Sequence, residues 1–246
     1  MAKGPGRLDR LLANAGVGSR SQVKKLIRCG AVTVNGSAAD PETKVDPLTD
    51  VVICSGRRIG AASFTYVMLN KPAGVVCATR DEKYRTVIDL VRDIPQAGKL
   101  FPSGRLDIDT VGLVLLTDDG ALSHRLLSPR SHVEKEYEAQ LVREVTQEDI
   151  RAFASGMDIG DEKPCLPALL AACDPGEKGE ATARVVIREG RFHQVKRMFE
   201  KTGNKVVRLK RLRIGPLLLD ENLPEGGSRY LRDQEIRSLQ SPGEMI

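Results

Sequence analysis

Phe101-Pro102-Ser103-Gly104-Arg105-Leu106-Asp107-Ile108-Asp109-Thr110-Val111-Gly112-Leu113-Val114-Leu115-Leu116-Thr117-Asp118-Asp119-Gly120 carries more structural information than any other stretch of this chain. Its first half is a polar loop with a glycine hinge. Its second half, Val111 to Thr117, is an apolar, β-branched run that predicts a buried strand, closed by the turn residues Asp118-Asp119-Gly120. A carboxylate held at the end of a rigid strand is well placed for catalysis, because the strand fixes its geometry. Asp107 and Asp109 flank Ile108; they point the same way if the segment is extended and need not in a turn. The spacing alone favours an ordinary Asp-rich turn.

Outward from this segment, strands and helices alternate without a regular βαβ rhythm, which predicts an α+β domain. Upstream, Phe64 to Leu69 reads as a strand, with Tyr66 in the core. Lys71-Pro72-Ala73-Gly74 breaks it, and Val75 to Ala78 is expected to resume it. Thr86 to Val91 suggests a short helix. Downstream, Tyr137 to Val142 and Ala181 to Ile187 alternate like strands. Thr146 to Ala154 reads as a helix with Thr146 as cap and Asp149 placed for a reciprocal contact. Phe192 to Thr202 is an amphipathic helix ended by Gly203-Asn204, with Val195, Met198 and Phe199 facing inward. Val206 to Leu212 is a last strong strand.

The N-terminal quarter has a different pattern. Leu8, Leu11, Leu12 and Ala15 line one face of a short helix, ended by Gly16 and Gly18. Ser19, with Gln22 three residues on, opens a second helix whose buried face is Val23, Leu26 and Ile27. Arg7, Arg20, Lys24, Lys25 and Arg28 remain as candidate RNA-binding cations. Gly30 stops that helix. Ala31 to Val34 is a strand followed by the tight-turn pair Asn35-Gly36, and Lys44-Val45 and Val51 to Ile53 look like further strands, parted by turn chemistry at Asp46-Pro47. Residues 57–64 read as a linker. The expected division is residues 1–62, 63–236 and a tail, 237–246.

Charge follows this division. The chain of 246 residues has net charge +5. Residues 1–62 hold ten Lys/Arg against five Asp/Glu, leaving 28 of each in the remainder. A second basic stripe runs from 184 to 213, with eleven Lys/Arg against Glu189 and Glu200. Within it, Arg191, Lys196, Arg197 and the run Arg208-Leu209-Lys210-Arg211-Leu212-Arg213 are expected to face phosphates or the active site. Two positive surfaces suit an extended phosphate backbone better than one small ligand, and together would raise affinity by effective concentration. The five cysteines lack metal-ligand spacing, and three histidines add no site, so neither a metal nor a disulfide framework is expected. No apolar run approaches the ~20 residues of a membrane helix, and the N-terminus lacks a signal-peptide pattern. A soluble, cytoplasmic monomer with no membrane partner is the expectation.

Three sets of residues resemble known proteins. Arg7 to Ala13, Gly18-Ser19-Arg20-Ser21 and Ile27 to Gly36 resemble the RNA-binding module first named for a small-subunit ribosomal protein; Ser21 and Gln22 stand where that module usually has a second basic residue. Gly104-Arg105-Leu106-Asp107-x-x-Thr110-x-Gly112-Leu113-x-Leu115-Leu116-Thr117-x-Asp119-Gly120 resembles the catalytic motif of the RsuA/RluB/RluE/RluF group of bacterial pseudouridine synthases. Other blocks of that group follow in order: Leu69-Asn70-Lys71-Pro72-x-Gly74-Val75-Val76, Ser128-Pro129-Arg130 with Glu134-Lys135-x-Tyr137, and Glu189-Gly190-Arg191-x-x-Gln194-Val195-Lys196-Arg197-Met198.

The resemblance implies a mainly antiparallel synthase domain behind the small αα-β module. It implies that Asp107 is the catalytic aspartate, Tyr137 the aromatic that stacks on the target uracil, and Lys196 the cation beside the aspartate. Arg105, Arg191 and Arg197 join the RNA-binding set. The reaction breaks N1–C1′, turns the base and joins C5 to C1′ without redox change, so no cofactor is expected. An ionised Asp107 is needed, and a cation from Lys196, Arg197 or Arg105 favours that form. A flipped base wants an aromatic clamp, and aromatics are only 4% of the chain. The implied partner is ribosomal RNA, with the residues most like the branch that modifies small-subunit (16S) rRNA. A large-subunit (23S) rRNA enzyme and a non-catalytic rRNA-binding assembly factor are the alternatives. The intact Asp107 motif speaks against the second.

Overall fold

The computed structural model describes residues 6–15, 17–46, 50–59, 64–176 and 179–240, and the chain divides into two compact units, residues 1–64 and 65–246. The expectations for Gly16, Pro47, linker residues 60–63 and residues 241–246 lie outside the described residues.

The first unit holds β1 (Gly6–Arg7), α1 (Leu8–Asn14), α2 (Arg20–Arg28), β2 (Val32–Val34), β3 (Ser37–Ala38), β4 (Lys44–Val45), β5 (Val52–Cys54) and β6 (Arg57–Ile59). Leu8 and Leu12 of α1 pack on Val23 and Ile27 of α2 and on Val32, Val45 and Val52, all buried. Ser19 caps α2 reciprocally: its backbone N–H donates to Gln22 Oε1 at 2.8 Å, and the Gln22 N–H donates to Ser19 Oγ at 3.4 Å. Asn35 (φ 51°) and Gly36 (φ 83°) make the tight turn joining β2 to β3. The four-stranded sheet runs β3-β2-β5-β6, while β1 pairs with β4. β6 corrects the reading of residues 57–64 as a linker. Ser55 and Gly56, both at positive φ, form a second two-residue hairpin turn that pairs Arg57–Ile59 with Val52–Cys54.

The second unit contains β7 (Tyr66–Lys71), β8 (Phe101–Ser103), β9 (Val111–Thr117), α3 (Gly120–Leu127), β10 (Lys135–Leu141), α4 (Gln147–Ser155) and β11 (Leu169–Cys173). Then come β12 (Ala181–Ile187), α5 (Gln194–Lys201), β13 (Val206–Ile214), β14 (Leu217–Leu218), β15 (Ser228–Tyr230) and α6 (Asp233–Gln240). Among the described residues these strands form one sheet in the order β11-β12-β10-β13-β9-β7-β15, with β14 on β13 and β8 on β9. Every pairing is antiparallel except β9 with β13.

Every residue of β9 is buried, which is why its sequence reads as an unbroken apolar run. Strand β10 instead alternates, with Lys135, Tyr137, Ala139 and Leu141 buried on one face and Glu136, Glu138 and Gln140 on the other. Val195, Met198 and Phe199 of α5 are buried, and Phe199 meets Phe153 of α4 at 4.9 Å between ring centroids. Thr146 and Asp149 cap α4 reciprocally.

Four differences from the sequence reading stand out. Val75 to Ala78 does not resume a strand; Val76 makes only an isolated bridge to Thr86. Thr86 to Val91 contracts to a single 3₁₀ turn, Asp89–Val91. Asp118-Asp119-Gly120 is not only a turn: Asp119 Oδ1 accepts from the N–H groups of Ala121 and Leu122 and so starts α3. Helix α6 runs through residue 236 as far as Gln240, with Leu239 buried.

Candidate active site

Asp107 lies in the loop between β8 and β9. The Thr110 N–H donates to the Asp107 carbonyl at 3.1 Å, so Asp107 to Thr110 is a closed turn rather than an extended segment. Both carboxylates nonetheless converge on one ammonium. Lys196 Nζ, from α5, stands 3.2 Å from Asp107 Oδ2 and 2.6 Å from Asp109 Oδ1. Burial works to lower the basicity of Lys196, but hydrogen bonds to Asp109 and Asp107 prevail and hold it above its ordinary value. Burial conversely works to raise Asp109, and the Lys196 ammonium holds it below the usual carboxylate range. His193 Nε2 lies 3.5 Å from Asp107 Oδ1. Sequence reasoning passes over His193; a histidine beside the first residue of the basic helix is its available signal.

The turn is held from beneath by Lys71, whose side chain is wholly buried. Its Nζ donates to the carbonyls of Pro72, Ile108 and Thr110 at 2.9, 3.3 and 2.8 Å. Burial pushes this amine below its ordinary value, against the opposing pull of Cys77, Asp109 and Asp107. The Gly74 N–H also donates to the Ile108 carbonyl, at 2.8 Å. A lysine at a strand end before proline reads as a chain break; it is the support of the acidic turn.

Gly112 explains itself in the same way. It sits at φ +102°, and a Cβ there would lie 2.3 Å from the Arg211 carbonyl oxygen. Only glycine lets β13 approach β9 this closely. The approach brings Arg211 beside the cavity, where it is buried and its Nε donates to the Leu113 carbonyl at 2.8 Å.

Asp107, Tyr137, Lys196, His193 and Arg211 line one cavity of about 190 Å³, together with Arg105, Thr110, Leu127, Lys135 and Ile187. This volume suits a single base and sugar rather than a helical segment. Tyr137 is buried in its wall, with 7% of its surface exposed. Arg105 is exposed at the cavity and has no carboxylate partner among the described residues.

The other expected cations divide. In the first unit, Arg20, Lys25 and Arg28 are exposed and Lys24 half-buried, and none has an acidic partner within ion-pair distance among the described residues. Arg7 is instead held by Asp9 at 3.1 Å and Glu42 at 3.5 Å. In the second unit most arginines of the stripe are held by carboxylates or carbonyls, while Arg188, Arg191, Lys196 and Arg211 also line the cavity. Arg191 donates to Glu189 at 3.0 Å and to the Lys163 and Pro164 carbonyls, and Arg197 to Asp161 at 2.7 Å and to the Ile159 carbonyl. Arg184, Arg188 and Arg213 pair with Glu134, Glu136 and Glu138, and Arg208 pairs with Glu225. The strand periodicity is the cause: Arg184 and Arg213 share the sheet face opposite Tyr137 with the alternate glutamates of β10. Arg197 and Arg105 do not reach Asp107; Lys196 does.

Among the described residues no cluster of His, Cys, Asp and Glu could hold a metal ion, and no helix is long and apolar enough to cross a membrane.

Residues 65–201 match the family model for RNA pseudouridylate synthase, and residues 6–52 match the S4 domain. The chain is 44% identical to ribosomal small subunit pseudouridine synthase A of Pasteurella multocida (strain Pm70), over 95% of this chain and 99% of that one. It is 43% identical to YtzG of Bacillus subtilis (strain 168), an uncharacterized RNA pseudouridine synthase, over 96% and 99%. A solved structure titled as a pseudouridylate synthase superposes with a TM-score of 0.66 at 41% identity, covering 95% of this chain and 99% of that one. The acidic turn, its lysine and the walled cavity thus lie in a recognised catalytic domain, and the chain belongs to the RNA pseudouridylate synthase family, with an S4 domain ahead of the synthase domain.

Proposed function

We propose that this enzyme isomerises a uridine of small-subunit ribosomal RNA to pseudouridine, with Asp107 as the carboxylate that acts on the ribose. The observation that carries the reading is the convergence of Asp107, Lys196 and Tyr137 on one cavity sized for a single nucleotide. The target must leave its stack before C1′ can be reached. Tyr137 then forms the aromatic wall for the uracil. Lys196 stands 3.2 Å from the Asp107 carboxylate, and the Lys71-supported turn aims that carboxylate.

Asp107 acts either as nucleophile at C1′, forming a sugar ester as uracil leaves, or as base at C2′, giving a glycal. In both routes N1–C1′ breaks, the base turns, C5 bonds to C1′, and the C5 proton is lost while N1 gains one. The unpaired cations Arg20, Lys24, Lys25 and Arg28 of α2 supply phosphate contacts. The small-subunit target rests on the relative from Pasteurella multocida that bears that name. Such a target puts the enzyme in the cytoplasm, where ribosomes are assembled.

Carbodiimide mapping of rRNA from cells with and without the protein tests the target. We expect one modification to vanish from small-subunit rRNA; a loss confined to large-subunit rRNA would overturn that assignment.

A further inference from the structure

Three of the large apolar side chains that remain exposed belong to segments of the active site: Ile108 beside Asp107, Leu127 in the cavity wall, and Phe192. Phe192 is the most exposed of them, at 71%. Its ring does not fold back onto the core. It lies on the imidazole of His193, with centroids 3.8 Å apart and planes 18° from parallel. His193 lines the cavity and stands beside Asp107, so the two rings form a plate that is continuous with the catalytic pocket. The plate is held in place. The Phe192 carbonyl accepts from Arg197 Nη1 at 3.1 Å, and the Arg191 N–H donates to Gln194 Oε1 at 3.0 Å.

Two facts say what would cover it. Extracting one nucleotide strips its neighbours of a stacking partner, and that cost opposes flipping. A flat π face next to the pocket offers a replacement partner to any base, whatever its identity. The exposed, unpaired Arg105 on the same cavity supplies the charge that a flanking phosphate needs. An apolar protein partner would leave that guanidinium without a counterpart.

We propose that the Phe192–His193 pair is a stacking platform for the RNA base that flanks the target uridine, standing in for the uracil once the uridine has flipped. The proposal rests on the catalytic reading above and deepens it: the site would recognise the step next to the target as well as the target itself.

The chain contains no tryptophan, so the full-length Phe192→Trp variant carries a single reporter at the plate. Titrating it with a small-subunit rRNA transcript should quench that fluorescence as complex forms. Tryptophan emission unchanged at saturation would overturn the platform. In tritium release from C5-labelled transcript, Phe192→Leu keeps apolar bulk but lacks a π face. It should lose about tenfold in kcat/KM, with its melting temperature unaltered, and Phe192→Trp should recover most of the loss. Full activity in Phe192→Leu would also overturn the proposal. Absence of release by the parent protein is a different failure: it would remove the catalytic reading on which the platform depends.

Discussion

Two regions of this enzyme carry dense positive charge, and they use it in opposite ways. In the S4 domain, helix α2 leaves Arg20, Lys24, Lys25 and Arg28 without an acidic group within ion-pair distance among the described residues. In the synthase domain, Arg184, Arg188, Arg208 and Arg213 are each paired with glutamates, and Arg191 and Arg197 are tied to Glu189 and Asp161. A run of basic residues on a short helix can be read locally, because the faces of the helix are fixed by its own periodicity. In a sheet, the partners of a cation come from neighbouring strands far away in sequence. Most arginines of the second stripe are therefore held by neighbouring carboxylates, and four of its cations, Arg188, Arg191, Lys196 and Arg211, line the cavity as well.

The sharpest way to break this contrast is at Lys196. We expect Lys196→Ala to lower the single-turnover rate by about 10²–10³, with transcript binding nearly intact, since it removes a charge aimed at the reacting group rather than at phosphate. A loss in binding alone would move Lys196 into the phosphate-contact class. Next in size is Gly112→Ala. The added Cβ meets the Arg211 backbone at a distance no side-chain movement relieves, so urea unfolding should show a destabilisation of about 3 kcal/mol. Equal stability would mean that β9 and β13 are not pinned at that point. The double variant Lys24→Ala with Lys25→Ala should bind transcript about tenfold more weakly at physiological salt, with a salt-dependence slope reduced by about two. Smallest of all, Arg184→Ala with Arg208→Ala should leave affinity within about twofold, because half-exposed ion pairs contribute little and these cations are not free. A large fall there would reverse the comparison.

The same local-against-distant distinction sets what was legible in the sequence. The capped helices α2 and α4, the buried run of β9 and the face of α5 that carries Val195, Met198 and Phe199 are written in contiguous residues. They appear where periodicity and capping place them. Strand β6 was hidden because its turn is Ser55-Gly56, a weaker hairpin signal than Asn35-Gly36, and because two arginines open it. Helix α3 was hidden because Asp119 serves equally as turn residue and cap. In the site, Asp107, Tyr137 and Lys196 were marked by motif resemblance. The structure brings them to one cavity, but nothing local foretold the join between α5 and the acidic turn, 87 residues apart. Lys71 was the least legible: its type argues for the surface, and only three converging carbonyls make its burial tolerable.

The proposed isomerisation depends wholly on the Asp107 carboxylate. The direct measurement is tritium release from C5-labelled small-subunit rRNA transcript under single-turnover conditions, with binding of the same transcript followed in parallel. Wild type should release one equivalent at its single target. Asp107→Asn, nearly the same shape without the charge, should bind as tightly and release none. Release by Asp107→Asn at the wild-type rate would contradict the central claim outright.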